Sequence, residues 1–141
     1  VTEVMKAGYK AECYLSGWGN THHYVNKVLW VDDLQLQRVY LYNKDKCDQI
    51  YNILYKSPPT NTTVCVDNQN FGSPECTGDS GGPLFCRNKY GRFELLGVIS
   101  NNYDSCFIDG YPLVCQLAYP YADWITQTTG LDFSNLTMGN Y

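Results

Sequence analysis

Cysteine usage constrains this chain more than any other feature. Cys13, Cys47, Cys65, Cys76, Cys86, Cys106 and Cys115 are spread along 141 residues, and no two of them stand in Cys-x-x-Cys spacing. Zinc sites and thioredoxin-type redox centres rely on that spacing, so neither is expected. Widely spaced cysteines in a chain of this size read instead as disulfides made in an oxidising compartment, although spacing alone does not choose the pairs. Asn61-Thr62-Thr63 and Asn135-Leu136-Thr137 match the acceptor pattern for N-linked glycosylation and fit the same compartment. The expectation is a secreted, extracellular glycoprotein with no metal and no cofactor.

Charge and hydropathy narrow the partners. Ten basic against fourteen acidic residues give a formal charge of -4 with no block of one sign. Phosphate neutralisation needs a basic stripe, so a nucleic-acid partner is not expected. Apolar runs such as Leu95 to Ile99 are too short to cross a bilayer, and no membrane partner is expected. The first fifteen residues carry Glu3, Lys6, Lys10 and Glu12 and lack the apolar stretch of a signal peptide.

Thirteen tyrosines, against seven lysines and four alanines, favour strands over a helical bundle. Leu34, Leu36, Val39 and Leu41 alternate with Gln35, Gln37 and Arg38, and the alternation changes phase near Arg38, which predicts a bulge there. Asp45 to Tyr51 reads as a short helix carrying Cys47, and Ser57 to Asn61 as a loop. Val64 to Val66, Pro83 to Cys86, Phe93 to Ile99 and Leu113 to Leu117 read as strands. A turn through Asn88 to Arg92 joins two of them, with Gly91 free to take positive φ. Pro120, Tyr121, Trp124, Ile125 and Thr128 give a terminal helix stopped by Gly130. Short strands, frequent turns and one last helix suggest an antiparallel barrel or sandwich.

Cys76-Thr77-Gly78-Asp79-Ser80-Gly81-Gly82-Pro83-Leu84 carries the chemistry. One serine stands among small residues that leave its hydroxyl and nearby backbone amides open to a substrate. A serine hydroxyl is a weak nucleophile until a base takes its proton, and acyl transfer also needs donors aimed at the developing oxyanion. The Gly78 and Ser80 amides can donate from one tight turn. A Gly/Pro-rich surface loop is the plain alternative. The segment resembles the nucleophile loop of chymotrypsin-like serine proteases. Ser16-Gly17-Trp18-Gly19 after Cys13, Gly97-Val98-Ile99-Ser100, Pro112-Leu113-Val114 and Tyr121-Ala122-Asp123-Trp124-Ile125 resemble the second half of those enzymes in order and spacing.

The resemblance implies an all-β fold: a six-stranded antiparallel (Greek-key) barrel with a C-terminal α-helix, one half of a two-barrel chymotrypsin-like protein. Residues 1–12 are then an interdomain linker remnant, 13–130 the barrel and its helix, and 131–141 a tail. It implies Ser80 as the nucleophile, Gly78 and Ser80 as the oxyanion hole, and Asp79 as a buried carboxylate paired with a chain terminus made by zymogen cleavage. Val1 is a poor candidate for that terminus, since Val1-Thr2-Glu3-Val4 lacks the Gly-Gly after the family's inserting residue. It also implies disulfides Cys13–Cys86, Cys47–Cys65 and Cys76–Cys106, leaving Cys115 as a buried free thiol, with an interchain bridge as the alternative.

A catalytic triad needs a histidine base and a carboxylate that orients it. In the family both come from the first barrel. The two histidines here, His22 and His23, fall where the family has an exposed loop, so a solvated loop is the expected role and a metal or catalytic role the alternative. The expected partner is an N-terminal barrel bearing His and Asp, as a separate chain in a heterodimer or as a missing segment, together with a protein or peptide substrate.

Specificity departs from the family pattern. The resemblance places Pro74, followed by Glu75, at the pocket base, with Thr77 also substrate-binding; on the walls Ser100-Asn101-Asn102 stands for the family's Ser-Trp-Gly and Leu113 for a glycine. The pocket is expected to be shallow or closed to large aromatic residues; Glu75 either attracts a basic side chain or faces solvent. The leading expectation is a serine endopeptidase, inactive as an isolated chain. The alternative is an inactive protease homologue acting as a binding protein, toxin subunit or inhibitor. A self-sufficient esterase or unrelated β-domain would require a base that the chain does not visibly carry.

Overall fold

The computed structural model describes residues 2–7, 10–18, 32–55, 61–67, 80–101 and 112–131. In chain order the elements are α1 (Thr2–Ala7), β1 (Cys13–Gly17), β2 (Gln35–Leu41), α2 (Lys44–Tyr55), β3 (Thr63–Asp67), β4 (Pro83–Arg87), β5 (Phe93–Asn101), β6 (Leu113–Leu117), a 3-10 turn (Tyr119–Tyr121) and α3 (Ala122–Thr129). The six strands close into an antiparallel barrel in the order β1-β2-β3-β6-β5-β4. Closure removes sheet edges, a standard solution for an all-β domain.

Alternation builds the core. Cys13 and Leu15 of β1, Val39 and Leu41 of β2, Val64 and Val66 of β3, Leu84 and Cys86 of β4, Leu96 and Ile99 of β5, and Leu113, Cys115 and Leu117 of β6 form one buried cluster. Val4 of α1 and Ala11 join it, so the segment expected as a linker contributes a short helix and two core residues. Cys13 and Cys86, opposite each other on β1 and β4, are disulfide-bonded. A second disulfide joins Cys47 of α2 to Cys65 of β3. Cys76 and Cys106 lie outside the described residues.

The expected bulge near Arg38 is absent. β1 and β2 stay in register from Cys13↔Val39 through Tyr14↔Arg38 to Gly17↔Gln35. The change of phase has another cause: Leu34 and Leu36 point outward and are exposed, while Gln35 and Gln37 share the face of Val39. The register irregularities fall instead between Leu84 and Phe85 and between Ile99 and Asn101.

Helix α2 is longer than sequence periodicity suggested. Asn43 caps it, its side-chain oxygen accepting the Lys46 amide at 3.2 Å while its carbonyl accepts the Cys47 amide at 2.9 Å. Asp45 in the first turn suits the helix dipole. The β4–β5 turn forms as read: Gly91 has φ 77°, and the Asn88 side-chain oxygen accepts the Tyr90 and Arg92 amides at 2.9 and 3.0 Å. Gly130 ends α3 at φ 71° and donates to the Thr126 carbonyl at 2.9 Å.

Candidate active site

Ser80 sits exposed on a turn that enters β4. Two backbone bonds clamp this turn to β5: the Gly81 amide donates to the Ile99 carbonyl, and the Ile99 amide donates to the Gly82 carbonyl, each at 2.9 Å. Gly81 has φ 89°, with open space where a Cβ would project. Glycine is therefore required there by backbone conformation and not by crowding. Pro83 then opens β4, where a strand's first position tolerates a missing N–H.

The opposite limb of the site is the end of β5. Ile99 pairs with Cys115 and Asn101 with Val114, so Ser100 is the unmatched residue, and it is exposed. A bulge at a barrel rim bends the strand and redirects its side chains. The Gly81–Ile99 pairing brings Ser80 and Ser100 to the same rim. Gly17 and Trp18 belong to this rim too, since β1 runs from Cys13↔Cys86 to Leu15↔Leu84 and onward toward Gly82.

Of the other residues singled out from sequence, Leu113 stands at the start of β6 and faces inward. It is 5% exposed and belongs to the core cluster. Cys115 is free and 0% exposed. Burial pushes its pKa from 9.0 up to about 12. It is thus a protonated apolar group at neutral pH and inert as a nucleophile. Pro74, Glu75, Thr77, Gly78, Asp79, Asn102, His22 and His23 lie outside the described residues. Among the described residues no group of three or more His, Cys, Asp or Glu could hold a metal ion.

Sequence reading passed over two supports of the site. Ile99 was assigned only to a strand, yet its backbone makes both bonds that fix the serine turn. Gly97 packs tightly against β6, where a Cβ would meet the Gln116 carbonyl oxygen at 2.7 Å. A glycine inside a strand pattern was the available signal for such an approach.

The family model described as Trypsin matches residues 5–125. Trypsin II-P29 of Gallus gallus is 34% identical over 123 residues, covering 87% of this chain and 44% of that protein. Human kallikrein-11 is 35% identical over 118 residues, covering 82% of this chain and 37% of its own length. Among solved structures, neuropsin, a serine protease expressed in the limbic system of mouse brain, aligns with a TM-score of 0.68 at 31% identity, covering 84% of this chain and 48% of that one. The chain belongs to the trypsin family of chymotrypsin-like serine proteases. It spans less than half the length of these relatives. Among the described residues no helix is long and apolar enough to cross a membrane.

Proposed function

We propose that Ser80 is the nucleophile of a serine endopeptidase whose catalytic unit joins this barrel to a second one carrying the histidine base and its aspartate. The observation that carries the reading is an exposed serine on a glycine turn pinned to β5 on both sides. The base removes the Ser80 proton as Oγ attacks a peptide carbonyl. The Gly78 and Ser80 amides hold the oxyanion, with Asp79 as the supporting carboxylate that keeps them in place. The protonated base then protonates the leaving amine as the C–N bond breaks, and water hydrolyses the acyl-enzyme. Ser100, Asn101 and Asn102 line the substrate's path, with Pro74, Glu75 and Thr77 at the pocket base. The two disulfides support folding in an oxidising compartment and hence secretion.

A second barrel is also favoured by surface. Tyr14, Phe85 and Phe93 form an outward aromatic cluster with ring centroids 5.6 to 6.0 Å apart. Leu95, paired with Phe85, extends it, and Leu34, Leu36 and Trp18 are likewise exposed. An apolar face of this extent marks an interaction surface. The test is labelling by a fluorophosphonate probe in the natural full-length product or assembled complex. Ser80 is expected to carry the adduct, and Ser80→Ala to abolish both adduct and peptide hydrolysis. Absence of label in an assembly that contains the second barrel would establish the alternative, a noncatalytic binding protein on the same scaffold.

A further inference from the structure

We infer that Asn61 carries an N-linked glycan, placed at the end of the barrel away from Ser80. The sequence supplies the acceptor pattern Asn61-Thr62-Thr63, and the structure shows that a sugar there is compatible with the fold. Asn61 is exposed in the turn that enters β3. Thr63, by contrast, is 7% exposed and begins the strand. The acceptor amide thus projects into solvent while the threonine that completes the pattern is packed.

Neighbouring bonds hold the turn in place. The Thr62 carbonyl accepts the Leu117 amide at 2.8 Å and also the Gln116 side-chain amide. Thr63 of β3 pairs with Gln116 of β6. Two residues beyond Thr63, Cys65 is bonded to Cys47, and disulfides form in the compartment where oligosaccharide is transferred. Transfer forms a bond between the Asn61 Nδ2 atom and the anomeric carbon of a lipid-pyrophosphate-linked oligosaccharide. The bond from that carbon to the pyrophosphate oxygen breaks, the amide loses one proton, and the lipid pyrophosphate leaves.

Strand register sets the glycan's position relative to the catalytic rim. Asn101, beside Ser80 on that rim, pairs with Val114. The Leu117 amide reaches Thr62, so Asn61 stands level with Ala118. Four residue steps along β6 and its end separate these levels, about 13 Å at the usual rise of a strand. Ser80 and Asn61 also attach to different strands, β4 and β3, which are not neighbours in the barrel. A glycan on Asn61 therefore leaves substrate access to Ser80 open.

The experiment uses the natural full-length product secreted from a eukaryotic cell. It is treated with peptide N-glycanase in water enriched in heavy oxygen and mapped by mass spectrometry. Residue 61 is expected to read as heavy-labelled Asp. Asn61→Gln and Thr63→Val should each lose one glycanase-sensitive step in electrophoretic mobility, while Thr63→Ser keeps it. Fluorophosphonate labelling of Asn61→Gln should stay within twofold of the parent. Recovery of residue 61 solely as unmodified Asn overturns the inference, whatever the labelling at Ser80 reveals. A glycan at residue 61 combined with more than twofold faster labelling of Asn61→Gln overturns the placement away from the catalytic rim.

Discussion

The outer surface of the barrel has two unlike faces. Across β3 and β6 it is covered: α2 packs down on Cys65 and Val114, Cys47 ties the helix in place, and Tyr42 and Tyr51 fill the margins. Across β2, β1, β4 and β5 it is open, and Leu36, Tyr14, Phe85, Phe93 and Leu95 face outward there. Arg38 lies 5.4 Å from the Tyr14 ring centroid and Arg87 5.5 Å from that of Phe93. Both faces are apolar in sequence, yet only one has a cover within the described chain. Terminal helix α3 repeats the open pattern, with no buried residue and Trp124 65% exposed. A closed barrel with its own core thus differs from a protein whose every apolar surface is satisfied.

The two disulfides should separate these regions most sharply. Cys13–Cys86 closes a sequence separation of 73 and Cys47–Cys65 one of 18. Unfolded-chain entropy then assigns about 4 kcal/mol to the first and about 3 kcal/mol to the second. Replacing Cys13 and Cys86 by alanine should therefore lower stability more in denaturant titrations than replacing Cys47 and Cys65. Only the second pair of substitutions should release α2 first, seen as early loss of amide protection over Lys44–Tyr55. Simultaneous loss of barrel protection would break the distinction between cover and core.

The interior offers a pH test of the next size. Burial raises the pKa of Cys115 from 9.0 to about 12. The folded state therefore holds a proton that the unfolded state releases above pH 9, so stability from this group is fully present below pH 9 and falls as pH climbs toward 12. The slope is about 1.4 kcal/mol per pH unit within that window. Cys115→Val should flatten this part of the profile, measured as the difference between parent and variant in denaturant midpoints. A flat difference would place the thiol in contact with solvent. On the covered outer face, Val114→Ala should cost about 2 kcal/mol by leaving space beneath α2.

Legibility followed the physics of each region. Strand positions and the β4–β5 turn were readable because alternation and turn chemistry act locally: Asn88 and Gly91 do in the structure what such residues do in any tight turn. The serine turn was visible as a motif, but its clamp was not, since Ile99 contributes through its backbone N–H and C=O, which carry no side-chain signal. Around Arg38 the reading failed because it assumed that leucines face inward. Leu34 and Leu36 face outward on a regular strand. Apolar periodicity reports which face is apolar, and it does not say whether the burying partner is the core or another unit. Leu113 was legible as an apolar strand residue, but its place in the core cluster depends on the way β6 closes the barrel.

The smallest change in stability should come with a clear change in behaviour. Leu36 is 63% exposed and Phe93 50%, so replacing both with lysine removes little buried area. Such surface substitutions typically fall within about 0.5 kcal/mol per site. Phe93 also contacts the Tyr14 and Phe85 rings, which makes it the costlier of the two. Self-association should nonetheless respond, because the added charges interrupt the open face where the covered one needs no change. Sedimentation velocity on the chain alone is expected to show concentration-dependent association for the parent and a single monomeric species for Leu36→Lys/Phe93→Lys. A monodisperse parent would mean that Arg38 and Arg87, stacked over the aromatic rings, already keep this face soluble, and the contrast between the two faces would then be one of packing alone.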